Sequence, residues 1–504
     1  MLKALFGDLT AAATHRGWPR AEVDVGVWRA IGEALREGKL DLLGEWGDAA
    51  AVHCALYEPA TRQLQIASLD ASSGKIPSLA VFHPPASRLE RTIADLFGIE
   101  IVGLPDRRPW LDHGRWPARS HPAAARAQSA VTTSAYTFLG AEGPSLHQIP
   151  VGPVHAGIIE PGHFRFTATG ETVVRLEERL GYTHKGIETL LRGKSIDEGA
   201  RIAARVSGDS TVAYSFGFSS AVETSLDFRP PPRAVWLRGV MAELERIANH
   251  LGDIGAICND AAFSMMHAEC GILREATLRT CAAAFGHRLM MDRIVPGGVT
   301  VDLEKNGHDA ILMLCQQLHR QFPELIELYD NTASLQDRTV GTGTVTAALA
   351  AEFAAPGCVG RASGRRFDAR ASLPYAPYDT APVELVVHQE GDVDARVWVR
   401  ILEVQHSIAW LESALATLPP GPTYLPVGLS PSTIVEGTAI IEGFRGDILV
   451  YVRVDPEHRI ERCHLRDPSW FLWPLLEAAI EGNIVADFPL CNKSFNCSYS
   501  GHDL

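Results

Sequence analysis

Hydrophobic side chains recur at helical spacing along one long stretch of the chain and two shorter ones. Between residues 235 and 257 an apolar residue returns every three or four positions, which lines one side of a helix. Residues 23–35 and 89–97 repeat this spacing near the N-terminus, and Gly98 follows as a predicted C-terminal cap. The pattern predicts a long buried helix at 235–257 and two shorter helices before it.

Short β-prone runs at 51–57, 63–69 and 78–82 are separated by turn residues. Together with the two short helices, they predict a small mixed α/β domain at residues 1–115. Residues 116–150 are rich in Ala, Ser, Arg and Pro and have no sustained period, which is typical of a linker. The chain is therefore expected to begin with one small domain and a connecting segment.

Helical spacing dominates the rest of the chain. Further helices are predicted around 273–291 and 398–408, whereas residues 164–171 have the pattern of a strand and a turn. Residues 151–504 are therefore predicted to form a large, mainly helical domain. The predicted fold class is α+β, with the small α/β domain first and the helical domain second.

Polar side chains occupy the face of the long helix opposite its apolar stripe. Glu243, Arg246 and His250 are three and four residues apart, so they lie on neighbouring turns and predict a structural polar cluster. Asp260 follows where the helix is expected to end. A buried carboxylate there needs a partner or a raised pKa, and His250 or Arg246 is the candidate partner.

Composition narrows the class of protein. The 504 residues are 46% hydrophobic and 21% charged, as in ordinary globular proteins. The net charge of −14 disfavours a phosphate-binding surface, so nucleic acid is not an expected partner. No apolar run reaches the roughly 20 residues of a membrane span, and the N-terminus lacks a secretory signal pattern. These features predict a cytoplasmic protein.

The nine cysteines are scattered along the chain, and no two of them have the spacing C-x-x-C. That distribution is a poor disulfide framework and lacks the usual spacing of zinc or iron–sulfur ligands. Most of these cysteines are expected to be small buried residues.

Several short motifs of the second domain occur in a fixed order. They are Gly152-Pro153-x-His155, Gly181-Tyr182-Thr183-His184-Lys185-Gly186-Ile187-Glu188, Glu243-Leu244-Glu245-Arg246-Ile247-Ala248-Asn249-His250, Arg274-Glu275, Arg293-Ile294-Val295-Pro296-Gly297-Gly298-Val299, Arg361-Ala362-Ser363-Gly364, Asp368-x-Arg370 and Pro374-Tyr375-x-x-Tyr378. In this order they resemble the 49 kDa subunit of complex I and its relatives, the large subunits of nickel–iron hydrogenases. The resemblance spans almost all of residues 150–504.

Residues 90–99 and 104–108 resemble the signature of the 30 kDa subunit of complex I. A 30 kDa-like domain fused to a 49 kDa-like domain is similar to the large subunit of membrane-bound, energy-converting hydrogenases, including that of formate hydrogenlyase. The resemblance implies a cytoplasmic arm, peripheral on the cytoplasmic face of the inner membrane. Its implied partners are an iron–sulfur small subunit with a 4Fe-4S cluster and antiporter-like membrane subunits.

The resemblance also implies where a nickel–iron centre would be bound. Hydrogenases of this family use the motifs R-x-C-G-x-C and D-P-C-x-x-C, whose four thiolates hold the metals. The corresponding positions here carry Ser207, Ser210, Ser498 and Gly501. A serine hydroxyl is not ionised near neutral pH and is a hard, weak ligand, so no nickel–iron centre or other cofactor is expected in this chain. The alternative is a substitute ligand from Cys491 or Cys497.

Without the metal, the space between residues 205–210 and 496–501 is a candidate cavity for a quinone-like or other acceptor. Its expected lining consists of Ser207, Ser210, Asn496 and Ser498. The segment 496–501 is therefore expected to face the two serines of the first segment.

The quinone contacts of the 49 kDa family are a second histidine in the G-P-x-H motif region and a tyrosine. The resemblance pairs these positions with Ile159 and Gly208 in this chain. His163 or Tyr214 lies near enough in sequence to be a replacement. A quinone is therefore a candidate ligand through a different set of contacts.

The proton-handling positions of the family are better preserved in this chain than its quinone contacts. His155 belongs to the G-P-x-H motif, and Asp260 matches the aspartate that follows the long helix in the 49 kDa family. Glu188 matches the glutamate that serves proton transfer in hydrogenases. The resemblance thus assigns proton handling to His155, Glu188 and Asp260. The alternative for Glu188 is a helix-surface pair with His184, four residues before it.

These features predict a subunit of a membrane-associated complex related to hydrogenases and NADH:quinone oxidoreductases. The expected role is to couple redox chemistry, with a quinone-like or unknown acceptor, to ion translocation. Two alternatives stay open. One is a scaffold subunit that turns over no substrate, and the other is an active hydrogenase with atypical ligands.

Overall fold

The computed structural model describes residues 1–7, 9, 12–114, 116, 136–428 and 431–504. Within these residues the strands are β1 (His15–Arg16), β2 (Arg20–Val23), β3 (Asp41–Gly47), β4 (Ala51–Glu58), β5 (Gln63–Asp70), β6 (Lys75–Pro77), β7 (Glu100–Val102), β8 (Leu146–Val151), β9 (His163–Thr169), β10 (Thr172–Arg179), β11 (Ile294–Val295), β12 (Gly298–Val299), β13 (Val435–Glu442), β14 (Asp447–Val454) and β15 (Ile460–Arg466). The helices are α1 (Leu2–Phe6), α2 (Val25–Arg36), α3 (Ser87–Phe97), α4 (Ile187–Leu191), α5 (Ile196–Ala203), α6 (Thr211–Ser225), α7 (Pro232–Asp260), α8 (Ser264–Phe285), α9 (Lys305–Asn331), α10 (Ala333–Thr339), α11 (Ala347–Glu352), α12 (Gly357–Ala362), α13 (Ala369–Ser372), α14 (Val393–Ala416), α15 (Ser469–Ala479), α16 (Phe488–Phe495) and α17 (Tyr499–Asp503). The predicted α+β class is confirmed.

The N-terminal region is built on a four-stranded sheet in the order β2-β5-β4-β3. β4 and β5 pair antiparallel and confirm the runs predicted at 51–57 and 63–69. α2 and α3 confirm the two short helices. Asp24 caps α2 by accepting a hydrogen bond from the amide of Val27 (2.8 Å), and α3 ends at Gly98, whose φ of 64° is the left-handed conformation that glycine adopts readily.

The strand predicted at 78–82 is wrong. The strand in this part of the chain is β6, which ends before residue 78 and pairs in parallel with β7. The amides of Leu79 and Ala80 donate to the carboxylate of Glu90, so they are not available to a sheet ladder. A buried side chain from α3 thus takes the place of a neighbouring strand.

A second four-stranded sheet has the order β1-β13-β14-β15. β1 pairs in parallel with β13, so the N-terminal region contributes a strand to the C-terminal sheet. Trp46 of β3 packs on Tyr451 of β14, with ring centroids 5.4 Å apart, and joins the two sheets. The hydrophobic pattern does not predict this sheet, because β13 and β14 are buried almost throughout and lack the alternation of a half-exposed strand.

Helices form the core of the region that follows. α7 has 29 residues and packs against α8, α14 and α16. It confirms the long helix predicted at 235–257 and extends to Asp260. α8 begins earlier than the helix predicted at 273–291. It also ends earlier, because Gly286 caps it in the left-handed conformation with φ of 73°. α14 confirms the helix predicted around 398–408.

Strands β8, β9 and β10 form a three-stranded antiparallel sheet beside this core. β8 includes the last residues of the segment 116–150 that the composition assigns to a linker, and residues 117–135 of that segment lie outside the described residues. β9 confirms the strand predicted from residue 164. Among the described helices, none combines the length and the apolar character that a bilayer span requires.

Candidate functional site

The C-terminal residues turn sharply at Asn496. α16 ends there, and the φ of 48° and ψ of 46° of this asparagine lie in the left-handed region that Asn tolerates better than most residues. Ser498 then caps α17, because its Oγ accepts a hydrogen bond from the amide of Gly501 (2.9 Å). This turn carries residues 496–501 to a buried position beside residues 205–210.

Ser207 and Ser498 are in direct contact at this position. Their Oγ atoms lie 3.0 Å apart, and Ser207 Oγ also donates to Asp209 Oδ1 at 2.8 Å. Both serines are buried. The structure therefore brings together two segments that are 291 residues apart in sequence, as expected from the family motifs.

Arg445 lies between the two segments and is a residue that the sequence did not single out. Its Nη1 donates to Asp209 Oδ1 (2.8 Å) and Ser210 Oγ (2.9 Å), and its Nε donates to the carbonyl of Asn496 (2.5 Å). The guanidinium also packs over the ring of Phe444, 4.5 Å from its centroid. We call Arg445, Asp209, Ser210 and Asn496 the Arg445 cluster.

Asp209 and Arg445 of this cluster are both charged. Burial opposes ionisation of Asp209, but the neighbouring guanidinium outweighs it and holds the pKa of Asp209 below its usual value. The side chain of Arg445 is buried, whereas that of Asp209 reaches solvent over about a third of its surface, 37%. A permanent ion pair therefore joins the buried segments to the surface.

Gly501, the fourth motif position, has no room for a side chain. A Cβ built there would lie 2.3 Å from Asp467 Oδ2 and 2.9 Å from Ser498 Oγ. Asp467 Oδ2 also accepts a hydrogen bond from the hydroxyl of Tyr214 at 2.5 Å. The carboxylate of Asp467 thus occupies the space into which a side chain at position 501 would project.

Cys491 and Cys497 are the two thiols nearest this site in sequence, and all nine cysteines are buried and free. Burial raises the pKa of Cys491 to about 11 and that of Cys497 well above its usual value. Cys491 Sγ packs against Gly343, where an added Cβ would lie 2.5 Å from the sulfur. Both thiols are therefore protonated near neutral pH.

Glu188 is partly buried, with 10% of its side chain exposed, and does not form a surface pair with His184. Its Oε2 lies 2.7 Å from Arg462 Nη1, and its Oε1 lies 2.6 Å from His464 Nδ1. Burial favours the neutral acid, but Arg462 and then His464 outweigh it and lower the pKa of Glu188 to about 2. His184 Nδ1 binds the carbonyl of Asp503 instead (2.7 Å). The surface-pair alternative is therefore wrong.

Glu188 also lines a cavity of about 350 Å³ between the N-terminal sheet and the C-terminal sheet. Asp48 and Arg453 line the same cavity and form an ion pair at 2.5 Å. Charged side chains of both regions therefore line one cavity together with the partly buried carboxylate of Glu188.

His155 lies on the loop between β8 and β9. Its Nε2 is 3.3 Å from the hydroxyl of Tyr499 in α17, which sequence reasoning did not pair with it. The same loop exposes Val154 and Ile158, at 80% and 99% of their surface. His155 therefore sits where the C-terminal turn meets an exposed apolar loop.

Asp260 is the last residue of α7 and is half-buried. Burial raises its pKa, and Lys493 is the charged group that most opposes this shift. His250 and Arg246 are not its partners, because they bind Glu403 and Glu243 on other turns of the helix. Asp260 therefore has a raised pKa and does not pair with His250 or Arg246, the two partners considered from the sequence.

The two candidate replacements for the quinone contacts are already engaged. Tyr214 is fully buried and donates to Asp467. His163 is buried, with its Nδ1 3.3 Å from the carbonyl of Gly152, and its Nε2 accepts a hydrogen bond from Arg165 (3.3 Å). Neither side chain offers a free polar atom to the space between residues 205–210 and 496–501.

The polar cluster predicted on the long helix is present. Arg246 donates to Glu243 at 3.2 Å, and Arg370 and the hydroxyl of Tyr378 bind the same carboxylate at 3.1 Å and 2.6 Å. All of these side chains are buried. They connect α7 to the segment around α13 and act as a structural network, as the spacing predicts.

His250, Cys358 and Glu403 bring three possible metal-ligand atoms within 4.8 Å of one another. Arg361 binds Glu403 Oε1 at 2.6 Å, and Arg246 Nη1 lies 3.9 Å from Oε2. Burial raises the pKa of Cys358 to about 12, so its thiol is protonated. Two cations already compensate the only anionic group of the trio, which fits a hydrogen-bonded network better than a metal site.

Residues 260–432 and 427–503 match the family model of the 49 kDa subunit of respiratory-chain NADH dehydrogenase, and residues 39–129 match that of the 30 kDa subunit. The chain is 30% identical over 450 residues to formate hydrogenlyase subunit 5 of Escherichia coli strain K12, across 86% of this chain and 78% of the relative. The chain belongs to the 49 kDa subunit family. The resemblance expected from its motifs is thereby confirmed.

Other relatives of this 49 kDa-type subunit come from two kinds of complex. It is 32% identical over 354 residues to a carbon monoxide-induced hydrogenase of Rhodospirillum rubrum, across 70% of this chain and 98% of the relative. It is 25% identical over 451 residues to an NADH-quinone oxidoreductase subunit of Bacteroides thetaiotaomicron, across 84% of each chain. The relatives are therefore hydrogenase-related and NADH-quinone oxidoreductase-type proteins.

Proposed function

We propose that this 49 kDa-type chain is a subunit of a membrane-associated oxidoreductase complex in which it holds no nickel–iron centre. Its role is to couple redox chemistry, at a quinone-like or other acceptor, to ion translocation. The observation that carries the proposal is the Arg445 cluster, which lies between the segments that hold the metals in hydrogenases. This region contains an ion pair and hydroxyl groups, whereas a nickel–iron centre requires thiolates there.

The donor set does not fit a nickel–iron centre. Low-valent nickel and iron select anionic sulfur ligands, whereas the two serine segments offer neutral hydroxyls and Gly501 offers no side chain. The guanidinium of Arg445 is cationic and has no lone pair to donate to a metal. Cys491 and Cys497 are buried, and Cys491 Sγ packs against Gly343. No step of the proposed function therefore passes through a metal bound by this chain.

An exposed apolar loop supports assembly with partner subunits. Val154, Ile158 and Ile159 project from the loop between β8 and β9, with Ile158 almost fully exposed. Apolar side chains clustered on one loop are typical of a surface that a partner covers. The proposed partners are an iron–sulfur small subunit with a 4Fe-4S cluster and antiporter-like membrane subunits, with this chain peripheral on the cytoplasmic face of the inner membrane.

A chain of hydrogen bonds between polar side chains supports the proposed coupling role. The side-chain amide of Asn496 donates to Asp253 Oδ1 (2.7 Å), and Asp253 Oδ2 accepts from Arg400 Nε (3.0 Å). Arg400 lies on α14, so hydrogen bonds connect the Arg445 cluster to the helical core. In the proposed role, a change of charge near one end of this chain of hydrogen bonds is transmitted along it to α14.

His155 and Tyr499 favour a quinone-like acceptor. Their adjacent Nε2 and hydroxyl groups, 3.3 Å apart, offer two hydrogen-bonding atoms beside an apolar loop. A quinone has carbonyl oxygens that accept such bonds and an apolar body that packs on side chains such as Val154. The acceptor is therefore proposed to bind at this pair and not in the cavity expected between residues 205–210 and 496–501, where Ser207 contacts Ser498 and Arg445 joins the two segments.

Isolation of the complex through an affinity tag on this chain tests the function. The proposal expects partner subunits to co-purify, quinone-dependent turnover to be present and hydrogen-dependent dye reduction to be absent. Hydrogen-dependent dye reduction that requires this chain would instead make it an atypical hydrogenase. Turnover that is unaffected by loss of the Tyr499 hydroxyl and of Arg445 would make it a scaffold.

A further inference from the structure

A small cavity lies between the N-terminal region and the C-terminal sheet. Its volume is about 10 Å³, at the lower end of the space that holds one water molecule. The lining includes Glu45 and Trp46 from β3, Glu188 from α4, His464 from β15 and Trp470 from α15. Side chains from two parts of the chain that are far apart in sequence therefore face one water-sized space.

Four of these lining residues carry buried polar atoms without a hydrogen-bond partner among the described residues. The atoms are both carboxyl oxygens of Glu45, Nε1 of Trp46, Nε2 of His464 and Nε1 of Trp470. Unpaired buried polar atoms are rare in folded proteins, because each loses its hydrogen bonds to water. Their concentration around one cavity indicates that an internal water satisfies part of this set.

The ion pair of Glu188 decides which atom of His464 is free. Arg462 keeps Glu188 ionised, and an ionised carboxylate only accepts hydrogen bonds. His464 Nδ1 therefore carries the proton that it donates to Glu188 Oε1 at 2.6 Å. Burial lowers the pKa of His464, and Arg462 and Arg466 oppose a second proton, so Nε2 is an unprotonated acceptor that needs a donor.

Glu45 has the complementary requirement. Burial, and then the nearby carboxyl of Glu90, raises the pKa of Glu45 well above its usual value, so it carries an O–H group that needs an acceptor. Glu90 is itself occupied by the hydroxyl of Ser78 at 2.6 Å. Cys54 on β4 is the other titratable group near Glu45, and burial raises the pKa of its thiol.

We propose that an internal water in this cavity joins the carboxyl group of Glu45 to Nε2 of His464, and that these groups form a proton relay that ends at His464, whose Nδ1–H is hydrogen-bonded to Glu188. The O–H bond of Glu45 breaks as the water accepts its proton, and the water passes one of its own protons to Nε2. The products are a Glu45 carboxylate and a His464 imidazolium beside the Glu188 carboxylate. No electron is transferred, and the reverse step restores the starting groups.

The relay moves one proton between Glu45 of the N-terminal region and His464 of the C-terminal sheet. It extends the proton handling expected at Glu188 and does not depend on whether the chain holds nickel. Glu188 acts in it as a fixed anion that stabilises the protonated form of His464. Glu45 and His464 are the groups that exchange the proton.

Infrared difference spectra of the full chain, wild type minus variant, test the relay without reference to turnover. They are recorded well above the pKa of Glu90, which is about 7, so that Glu90 is ionised. The carbonyl band of a neutral carboxylic acid is expected in the difference with Glu45→Gln, and this band is expected to shift in heavy water. In His464→Leu the same band is expected to move, because its hydrogen-bonded chain is broken.

Glu33→Gln, on the exposed face of α2, is the matched control and leaves the carboxylic acid region of the spectrum unchanged. A difference spectrum of Glu45→Gln without a carboxylic acid band would overturn the proposal, because Glu45 would then be ionised. A band that stays in place in a folded His464→Leu chain would overturn the link to His464. A high-resolution map of the wild-type complex gives a second reading: density for a water beside His464 Nε2 is expected, and an empty cavity contradicts the relay.

Discussion

The Oγ atoms of Ser207 and Ser498 lie 3.0 Å apart, in a buried contact between segments separated by 291 residues. The motif resemblance to hydrogenases pairs these two positions with metal-binding cysteines. Here the contact is a hydrogen bond between hydroxyls, and Arg445 and Asp467 fill the adjoining space. In the proposed function, fixed charges and hydroxyls therefore take the place of metal-bound thiolates.

A methyl group at position 501 is expected to be costly. The Cβ of Gly501→Ala would lie 2.3 Å from Asp467 Oδ2, so this carboxylate and the Tyr214 hydroxyl that binds it must move. Overpacking of this kind lowers the free energy of unfolding by about 1–3 kcal/mol. Urea denaturation of the two proteins measures the difference.

Gly271→Ala is the matched control for that substitution. Gly271 also lies in a helix, but it is exposed and an added Cβ meets nothing within 4 Å. Its replacement is expected to raise the free energy of unfolding by up to about 1 kcal/mol, through helix propensity alone. Equal effects of the two substitutions would show that position 501 has room for a side chain.

Asp209→Asn is expected to destabilise the protein by about 2–3 kcal/mol, because it leaves the buried guanidinium of Arg445 without its anion. A second change, Arg445→Met, is expected to recover part of that loss, which a double-mutant cycle measures. Glu275→Gln is the control, since Glu275 pairs with Arg279 and Arg288 at the surface, where such pairs contribute at most about 1 kcal/mol. An effect of Asp209→Asn no larger than that of the control would show that the ion pair does not hold the two segments together.

Glu188 is expected to make stability fall in acid. Its folded pKa of about 2 is below the ordinary value of 4.5, so its contribution is complete above about pH 4.5 and is lost as the pH falls towards 2. The shift corresponds to roughly 3 kcal/mol at neutral pH. Chemical denaturation across this range is expected to give a shallower pH dependence for Glu188→Gln than for the wild type. Equal slopes would show that Arg462 and His464 do not hold the carboxylate.

Much of the fold can be predicted from local patterns in the sequence, whereas much of the candidate site cannot. The apolar stripe of α7 and the cap at Gly98 are local features, and the structure has both. The C-terminal sheet is not predicted, because strands buried on both faces show no alternation. Glu188 meets His464 across 276 residues, a contact that no spacing along one helix reveals.

The role of Arg445 at the candidate site could not be predicted from the sequence either. It lies in the short turn between β13 and β14, and no neighbouring motif distinguishes it from the other arginines in the sequence. Its importance appears only when the fold places it between residues 205–210 and 496–501. The serine positions, by contrast, follow from the order of the family motifs.

Tyr499→Phe is expected to weaken binding of a quinone analogue to the complex about 5- to 10-fold, because one hydrogen bond of about 1–1.5 kcal/mol is lost. The thermal midpoint is expected to change little, since phenylalanine keeps the ring that packs on Trp473 and only the bond to His155 is lost. Tyr424→Phe, at an exposed tyrosine, is the control. Unchanged affinity in Tyr499→Phe would place the acceptor elsewhere.

The absence of a nickel–iron centre is tested by the nickel content of the purified complex, measured per copy of this chain by mass spectrometry. We predict iron from the partner subunit and nickel far below one atom per chain. We predict the same low nickel content after Ser207→Cys and Ser498→Cys together, because Arg445 and Asp467 still occupy the adjoining space. One nickel atom per wild-type chain would contradict the proposed function.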